Sequence, residues 1–308
     1  MRFDVVLNRD GGTLRGRDLD SLQATLRRTL EGSGHAVSIA LVAGDGVGAA
    51  LDRAAAGPCD VVMAGGGDGT VSAAAARLAG TDKALAVLPA GTMNLFARSL
   101  GVPPDLDRAI AAFAHGAVRR VDVAEADGRI FVHQFSVGLH AKLIRLRARR
   151  RFTSRAGKML ASLQAGLAAL LRPPRLAAAL AVDGREIVVR AAGIGITNNL
   201  LGEGYRLPYA QRPDGGTLGV YVTRGRRRRD LARLALGALL GRWESNAQVE
   251  VHHGREVRLR LLAHHRRFGC AIDGELAELS TVTHLRIRPG ALKAWVPVSD
   301  VPAPDEEA

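Results

Sequence analysis

A run of glycines directly after a short apolar segment restricts the fold more than any other feature of the sequence. Residues 61–64 have the character of a buried strand and lead straight into Gly65–Thr70, which reads Gly-Gly-Gly-Asp-Gly-Thr. The residues that follow are rich in Ala and helical in character. Glycines let the backbone approach a phosphate closely, and the free N–H groups and the dipole of a helix N-terminus favour negative charge. One glycine would suit a tight turn with positive φ, but four glycines around an aspartate favour a phosphate site.

This glycine loop matches neither of the two commonest phosphate motifs. It lacks the Lys of G-x-x-x-x-G-K-[ST], and it does not fit G-x-G-x-x-G. It resembles the Gly-Gly-Asp-Gly-Thr signature of the superfamily of diacylglycerol, sphingosine and NAD kinases. A second segment, Pro89–Arg98, resembles the P-x-G-T-x-N-x-(F/L)-A-R block of the lipid kinases. The glycine-and-phenylalanine stretch that NAD kinases typically carry there is absent, so the resemblance is to a bacterial-type diacylglycerol or lipid kinase.

The order of strand-like and helix-like segments changes near residue 115. Before it, apolar strand-like runs alternate with helical patterns, which predicts a parallel, doubly wound α/β sheet. Ligands of such sheets bind outside the carboxyl ends of the strands, where Asn8, the glycine loop and Thr92 are expected. After it, extended segments are separated by Gly and Asp turns such as Asp127–Gly128 and Asp183–Gly184, which are hairpin signals and predict a β-rich domain. Single strands are expected over 130–135 and 186–196.

The resemblance covers nearly the whole chain and implies the same two-part fold: an α/β domain like those of NAD kinase and diacylglycerol kinase, followed by a C-terminal β-rich sandwich. We expect the nucleotide-binding domain at 1–124 and the lipid-substrate domain at 125–288. The second domain would be interrupted by helical patches at 141–171, which is basic, and at 229–241. Residues 289–308 would return to the first domain and end in a tail.

Phosphoryl transfer to an alcohol needs donors around the nucleotide phosphates, a cation and a base. Asn8–Gly12 resembles the family's N-P-x-x-G loop with Arg9 in place of Pro. Asp68 would repel a phosphate unless a cation intervened, so we expect it to hold Mg²⁺ directly or through water; a helix N-cap role could coexist with this. The residues expected to bind ATP are Asn8, Gly12, Gly66, Gly67, Asp68, Gly69, Thr70, Val71, Ser72, Thr92 and Asn94.

The resemblance supplies the base. Ile272–Glu275 matches the family's D-G-E motif, which implies that Asp273 is the catalytic base and that Glu275 orients or assists it. From the sequence alone, an Asp-Gly pair after a short strand is usually a hairpin turn, as expected at Asp183–Gly184. Only the order of the motifs along the chain favours the catalytic interpretation of Asp273.

A second metal site is in question. Arg212–Leu218 resembles the R-P-D-D-G-x-L segment that holds a structural Mg²⁺ in relatives, but its second Asp is Gly215 here, which leaves Asp214 as the candidate ligand. The nine histidines show no zinc spacing. Cys59 and Cys270 stand alone and are expected to be reduced and buried, as in a cytosolic protein.

The net charge of +13 is concentrated locally. Residues 128–182 hold eleven Lys or Arg residues and no acid, and the densest part is Arg145–Lys158. A basic amphipathic helix here would suit an anionic membrane surface, where each cation contributes on the order of 1 kcal/mol. A solvated basic face and a nucleic-acid patch are the alternatives. Aromatic residues are only 4% of the chain, which argues against base stacking and a nucleic-acid partner.

The sequence as a whole predicts an ATP- and Mg²⁺-dependent lipid kinase that converts diacylglycerol to phosphatidic acid. The alternatives are another glycerolipid or a sphingoid base as acceptor, NAD as a distant third, and a regulator that binds nucleotide or lipid without turnover. No N-terminal signal is visible, and the longest apolar run, 159–171, is too short to span a bilayer. We therefore expect a cytoplasmic protein at the inner face of the membrane. The oligomeric state stays open, with a homodimer as one option.

Overall fold

The computed structural model describes residues 1–148, 173–202, 208–224, 230, 237, 248–262 and 269–298. The helices are α1 Leu19–Gly32, α2 Val47–Ala56, α3 Asp68–Leu78, α4 Leu95–Ser99, α5 Leu106–Phe113 and α6 Leu139–Ala148. The first strands are β1 Arg2–Asn8, β2 Ala36–Val42, β3 Val61–Gly66, β4 Ala84–Pro89, β5 Gly116–Ala126, β6 Arg129–Phe131, β7 Gln134–Gly138 and β8 Leu176–Val182. The remaining strands are β9 Arg185–Ala191, β10 Gly193–Asn198, β11 Leu218–Thr223, β12 Val249–Gly254, β13 Glu256–Leu261, β14 Cys270–Ile272, β15 Glu275–Ala277 and β16 Val282–Pro297.

The first compact unit is an α/β domain made of Met1–Val121 and Ala291–Ala308. Its parallel strands follow the order β2-β1-β3-β4, and Lys293 and Ala294 of β16 pair in parallel with β4. Every residue of β3 and β4 is buried, as expected for parallel strands that are covered on both faces. The predicted α/β domain is confirmed.

The second unit, Asp122–Gly290, is an antiparallel β sandwich. One sheet follows the order β12-β11-β10-β7-β14-β15. The other contains β16-β13-β8-β9, with β5 pairing β16 and β6. Buried apolar side chains of both sheets, including Phe135, Ile196, Leu259 and Leu285, form its core. The predicted β-rich sandwich is confirmed.

Two of the predicted strands are wrong in extent. The stretch 130–135 is divided between β6 and β7, and the stretch 186–196 between β9 and β10, and each pair lies in two different sheets. Both stretches have strand-like character throughout, and this pattern does not show where a chain passes from one sheet to the other. Of the predicted helical patches, only residues up to Ala148 of the first and isolated positions of the second lie within the described residues.

Three two-residue Asp-Gly turns connect strands of the sandwich with nearly identical backbone angles. The φ values of Asp127, Asp183 and Asp273 are 47°, 46° and 45°, and those of the following glycines are 84°, 85° and 84°. Positive φ at both positions is the signature of a type I′ hairpin turn, which explains the Asp-Gly sequence. The hairpins predicted at 127–128 and 183–184 are confirmed.

The end of β16 packs into the first unit through Trp295. The indole is 6% exposed, its Nε1–H donates to the carbonyl of Phe113 at 3.0 Å, and its ring meets that of Phe3 edge-on at 5.7 Å. A Cβ on Gly116 would lie 2.3 Å from Trp295 Nε1, so a glycine is required there. The C-terminal strand is therefore part of the core of the α/β unit.

We expect Trp295→Ala to lower the free energy of unfolding by about 3–5 kcal/mol, because it removes a large buried ring and leaves a cavity. Urea denaturation followed by circular dichroism measures this loss. The control is Val298→Ala in the same segment, where the side chain is 60% exposed and the change should stay within about 0.5 kcal/mol. Equal stability of the two variants would show that Trp295 does not anchor the strand.

Candidate phosphate-binding site

Loops that follow β1, β3 and β4 meet at the carboxyl edge of the parallel sheet. The amide and hydroxyl of Thr13 donate to the carbonyl of Ala90 at 2.9 and 3.1 Å, which joins the first loop to the third. Asn8 Nδ2 donates to Thr70 Oγ1 at 3.3 Å, which joins the first loop to α3. The three sequence motifs of the first unit therefore form one cluster, with the segments 8–13, 65–70 and 89–94 as its members.

Most glycines of this cluster are required because the loops touch. A Cβ on Gly12 would lie 2.2 Å from the carbonyl oxygen of Ala90, and φ at Gly12 is +33°. A Cβ on Gly11 would lie 3.2 Å from the Cα of Gly66, and one on Gly91 would lie 3.0 Å from the Cα of Gly67. A Cβ would clash at Gly12 and would press closely on neighbouring backbone at Gly11 and Gly91, so packing accounts for all three glycines.

Gly67 is different, because nothing in the described structure requires a glycine there. A Cβ on Gly66 would lie 2.5 Å from Thr70 Oγ1, whereas one on Gly67 would meet no atom within 4 Å. The φ of Gly67 is −81°, which any residue can adopt. Space left open beside a glycine is what close approach of a ligand to the backbone needs. Packing of the loops therefore does not account for Gly67, and the backbone there could accept a ligand.

The same position begins α3. Gly67 is the N-cap, and its carbonyl accepts hydrogen bonds from the amides of Thr70 and Val71 at 2.9 and 3.2 Å. The amides of Asp68 and Gly69 lie in the first turn, where helical N–H groups have no partner within the helix. Donors and dipole thus favour an anion next to Gly67. Asp68 is the first helical residue, so the alternative that it acts as the N-cap is wrong.

Asp68 is positioned to supply a single carboxylate ligand. Its Oδ1 accepts a hydrogen bond from the amide of Leu95 at 3.2 Å, which fixes the side chain between α3 and α4. Mg²⁺ in nucleotide sites is commonly held by one or two carboxylates together with phosphate oxygens and water. Asp68 fits that arrangement with its second oxygen. In the part of the chain that the structure describes, no cluster of three or more His, Cys, Asp or Glu could hold a metal by itself.

Other predicted nucleotide ligands take different places in the cluster. Asn94 has φ of 51°; its Oδ1 accepts from the amide of Gly91 at 2.7 Å, and its Nδ2 donates to the carbonyls of Pro89 and Gly91 at 3.1 Å. Its amide therefore shapes the loop. Thr92 is exposed on the same loop, and Ser72 is half-buried on α3. The Val71 side chain is buried at 5% exposure, which leaves only its backbone.

Asp273 belongs to the second unit, and its carboxylate is held firmly. Its Oδ1 accepts hydrogen bonds from the amides of His133 and Gln134, and its Oδ2 from that of Val132, each at 2.9 Å. These are the amides at the passage from β6 to β7, so the carboxylate replaces the strand partner that the chain lacks there. Asp273 is only 9% exposed. Glu275 is exposed and pairs with Arg129 at 3.0 Å.

The other two Asp-Gly turns show what is particular to Asp273. Asp183 accepts hydrogen bonds from the amides of Arg255 and Glu256, and Asp127 accepts one from the amide of His284. All three turn carboxylates therefore bind backbone amides of a segment distant in sequence. Asp127 and Asp183 are exposed, whereas Asp273 is buried. The burial of Asp273 sets it apart, and its backbone angles do not.

The residues around 212–218 do not fit a two-carboxylate metal site. Gly215 brings no carboxylate, and a Cβ there would lie 2.9 Å from Asn199 Oδ1, so an Asp would not fit without a shift. The buried Asp122, which the sequence analysis missed, accepts hydrogen bonds from the amides of Gly216 at 2.7 Å and Gly290 at 2.8 Å. Hydrogen bonds to Asp122 organise this turn. The assignment of Asp214 as a ligand stays a prediction.

Neither cysteine is suited to nucleophilic chemistry. Cys59 and Cys270 are free and buried, as the sequence predicts. Burial raises the pKa of both thiols, so the thiolate that would attack is disfavoured. Within the described ranges, no helix is long and apolar enough to cross a bilayer.

Comparison with known proteins agrees with the fold and with the order of the motifs, which together define a two-domain protein of the kinase type. Residues 2–126 match the diacylglycerol kinase catalytic domain. Residues 134–296 match the YegS C-terminal NAD kinase beta sandwich-like domain. The chain belongs to the family of diacylglycerol and YegS-type lipid kinases.

Individual relatives align over part of the chain. A probable lipid kinase YegS-like from Pseudomonas syringae pv. tomato is 40% identical over 84 residues, which is 27% of each protein. The diacylglycerol kinase of Bacillus subtilis is 38% identical over 106 residues, 33% of this chain and 34% of that protein. The chain thus spans about a quarter to a third of the length of these curated relatives. The crystal structure of a diacylglycerol kinase from Bacillus anthracis str. Sterne shares the fold, with a TM-score of 0.68, 19% identity and 96% of both chains covered.

We expect Gly67→Val to abolish or strongly weaken ATP binding, by at least about tenfold, because its side chain would fill the open space beside the helix N-terminus. Calorimetric titration with ATP and Mg²⁺ measures the affinity, and thermal melting checks the fold. The matched control is Gly16→Val, since a Cβ at Gly16 also meets no atom within 4 Å but lies outside the three-loop cluster. Unchanged affinity in Gly67→Val would remove the phosphate site from this loop.

Proposed function

We propose that the protein transfers the γ-phosphate of ATP to the hydroxyl of a membrane lipid, with diacylglycerol as acceptor and phosphatidic acid as product. The observation that carries the proposal is the open space beside Gly67 at the N-terminus of α3, within a cluster where packing explains Gly11, Gly12, Gly66 and Gly91. Membership of the lipid kinase family supplies the reaction class.

The three-loop cluster would bind and orient the triphosphate. The amides of Asp68 and Gly69 would donate to phosphate oxygens, and the exposed Thr92 hydroxyl would donate from the third loop. Asn8 would act by joining the first loop to α3, as its hydrogen bond to Thr70 indicates. Asn94 would act by fixing the shape of the third loop through its hydrogen bond from the amide of Gly91. Close approach of the phosphates to Gly67 excludes water from that side.

Asp68 would hold the Mg²⁺ that accompanies ATP, through the carboxylate oxygen not used by Leu95. Mg²⁺ held there would offset the charge on the phosphate oxygens. The role of Asp68 is to fix the position of that charge, because its side chain is tied to α4.

Asp273 is proposed as the base that accepts the proton of the lipid hydroxyl. The lipid oxygen then bonds to the γ-phosphorus, the bond from that phosphorus to the bridging oxygen breaks, and ADP leaves. Three backbone donors fix the orientation of the carboxylate, which supports a role that needs a defined direction of proton transfer. Glu275, exposed and paired with Arg129, is proposed to assist.

The basic segment Arg145–Lys158 is proposed to dock on the anionic inner face of the membrane. A lipid acceptor requires such an approach, and each Lys or Arg near an anionic surface contributes about 1 kcal/mol. Most of this segment lies outside the described residues. Only its first residues, up to Ala148, are described, and they belong to α6.

Labelled ATP tests the function. The full chain is incubated with γ-labelled ATP, Mg²⁺ and a panel of lipids in mixed micelles and in anionic vesicles. We expect label in phosphatidic acid from diacylglycerol and faster transfer in the anionic vesicles. Label in a sphingoid base or in another glycerolipid would identify that lipid as the acceptor in place of diacylglycerol. Nucleotide binding without transfer to any lipid would favour the regulatory alternative.

We expect Asp273→Asn to lower kcat by roughly 10²–10⁴-fold while ATP affinity barely changes, because the amide cannot take up the proton. Steady-state kinetics in mixed micelles measures the effect. The amide would also replace a carboxylate oxygen that accepts backbone hydrogen bonds, so thermal melting of each variant accompanies the kinetics.

Asp127→Asn and Asp183→Asn are the matched controls, since they alter the same type of turn with the same backbone angles. Both should keep kcat within a few-fold. Full activity in a folded Asp273→Asn, together with loss of activity in Asp183→Asn, would show that Asp273 is a turn residue and not the base.

A further inference from the structure

The outer edge of β9 is open in the part of the chain that the structure describes. β9 is the last strand of its sheet and pairs there with β8 alone. Its Val188 side chain is 69% exposed, which is unusual for an apolar residue in the middle of a strand. An open strand edge offers a row of N–H and C=O groups to another strand.

The geometry of the β8–β9 hairpin determines which backbone groups face outward. The two strands are joined by the two-residue turn Asp183–Gly184, so the closing pair Val182 and Arg185 is hydrogen bonded across the hairpin. Hydrogen-bonded and non-hydrogen-bonded pairs then alternate along an antiparallel ladder. The N–H and C=O groups of Glu186, Val188 and Arg190 therefore point away from β8, to the open edge.

The side chains of the same three residues share the exposed face. Glu186, Val188 and Arg190 are exposed, whereas Ile187 is half-buried and Val189 is buried toward the sandwich core. Among the described residues, neither Glu186 nor Arg190 has an ion-pair partner, in contrast to Glu250 on the edge strand β12, which pairs with Arg224.

We propose that β9 pairs antiparallel with β9 of a second copy of this chain, on a two-fold axis through Val188. This register aligns Val188 with the partner's Val188 and Glu186 with the partner's Arg190, and by symmetry Arg190 with the partner's Glu186. All three pairs use outward backbone groups, so each forms two N–H···O hydrogen bonds. A symmetric dimer has such an isologous interface, in which one surface is complementary to itself.

Charge complementarity selects a second copy as the occupant. Two opposite-charge pairs flank an apolar pair, and each such cross-strand pair stabilises an antiparallel ladder. Charged side chains prevent an edge strand from pairing with a second copy when like charges of the two copies face each other. The order Glu-Ile-Val-Val-Arg instead makes the edge attract itself in one register. The proposal does not depend on the proposed kinase function.

Sedimentation velocity of the full chain over a range of concentrations tests the dimer. The wild-type chain should be dimeric at micromolar concentration. Glu186→Arg and Arg190→Glu should each raise the dimer dissociation constant roughly ten- to hundredfold, because symmetry turns both charge pairs repulsive at once. Both side chains are exposed, so each variant should stay folded, which circular dichroism checks.

Mixing gives the matched control. In an equimolar mixture of the two single variants, one chain carries arginine at both edge positions and the other carries glutamate at both, so we expect a heterodimer. The double variant Glu186→Arg/Arg190→Glu should regain the homodimer. A wild-type chain that stays monomeric, single variants that dimerise as wild type does, or a mixture that does not associate would each overturn the proposal.

Discussion

The contact between three loops is the constraint on which the rest of the first unit depends. Gly11, Gly12 and Gly91 bring the backbones after β1, β3 and β4 so close that a single Cβ would separate them. Thr13 joins the first loop to the third, and Asn94 fixes the shape of the third loop, each by hydrogen bonds to carbonyls. The N-terminus of α3 is thereby presented at the sheet edge with open space beside Gly67. The loops pack on one another at Gly11, Gly12 and Gly91, and Gly67, where packing requires no glycine, is the proposed place for a ligand.

Buried and turn aspartates organise the second unit in a comparable way. Asp127, Asp183 and Asp273 each occupy a left-handed turn position and accept amide hydrogen bonds from a distant segment. Asp122 lies within β5 and also accepts amide hydrogen bonds from distant segments. Each carboxylate satisfies amides that a strand ladder does not reach, and leaving such groups unpaired would be costly. A base at Asp273 would thus use a side chain whose direction the fold already fixes.

The sequence was sufficient for the features that depend on local pattern. Alternating strands and helices predicted the α/β unit, and the Asp-Gly pairs predicted the hairpins at 127–128 and 183–184. Features that depend on distant contacts were not predictable. The passages between sheets near Val132 and Ala192 lie within stretches of continuous strand-like character, and Asp122 has no motif around it. The N-cap of α3 is Gly67 and not Asp68, which is the first residue of the helix. Gly67 has no side chain that could signal a cap in the sequence. The pattern also could not show that most glycines of the cluster serve packing.

Hydrogen–deuterium exchange of the full chain, with and without ATP and Mg²⁺, tests the central claim that the three loops form one phosphate site. We expect nucleotide to slow exchange in peptides covering 8–13, 65–70 and 89–94 together, with the largest effect at the amides of Asp68 and Gly69. Peptides from β8 and β9 in the sandwich serve as the internal reference and should not change with nucleotide. Slower exchange in other peptides, with no change around Gly67, would show that the three loops do not form the phosphate site.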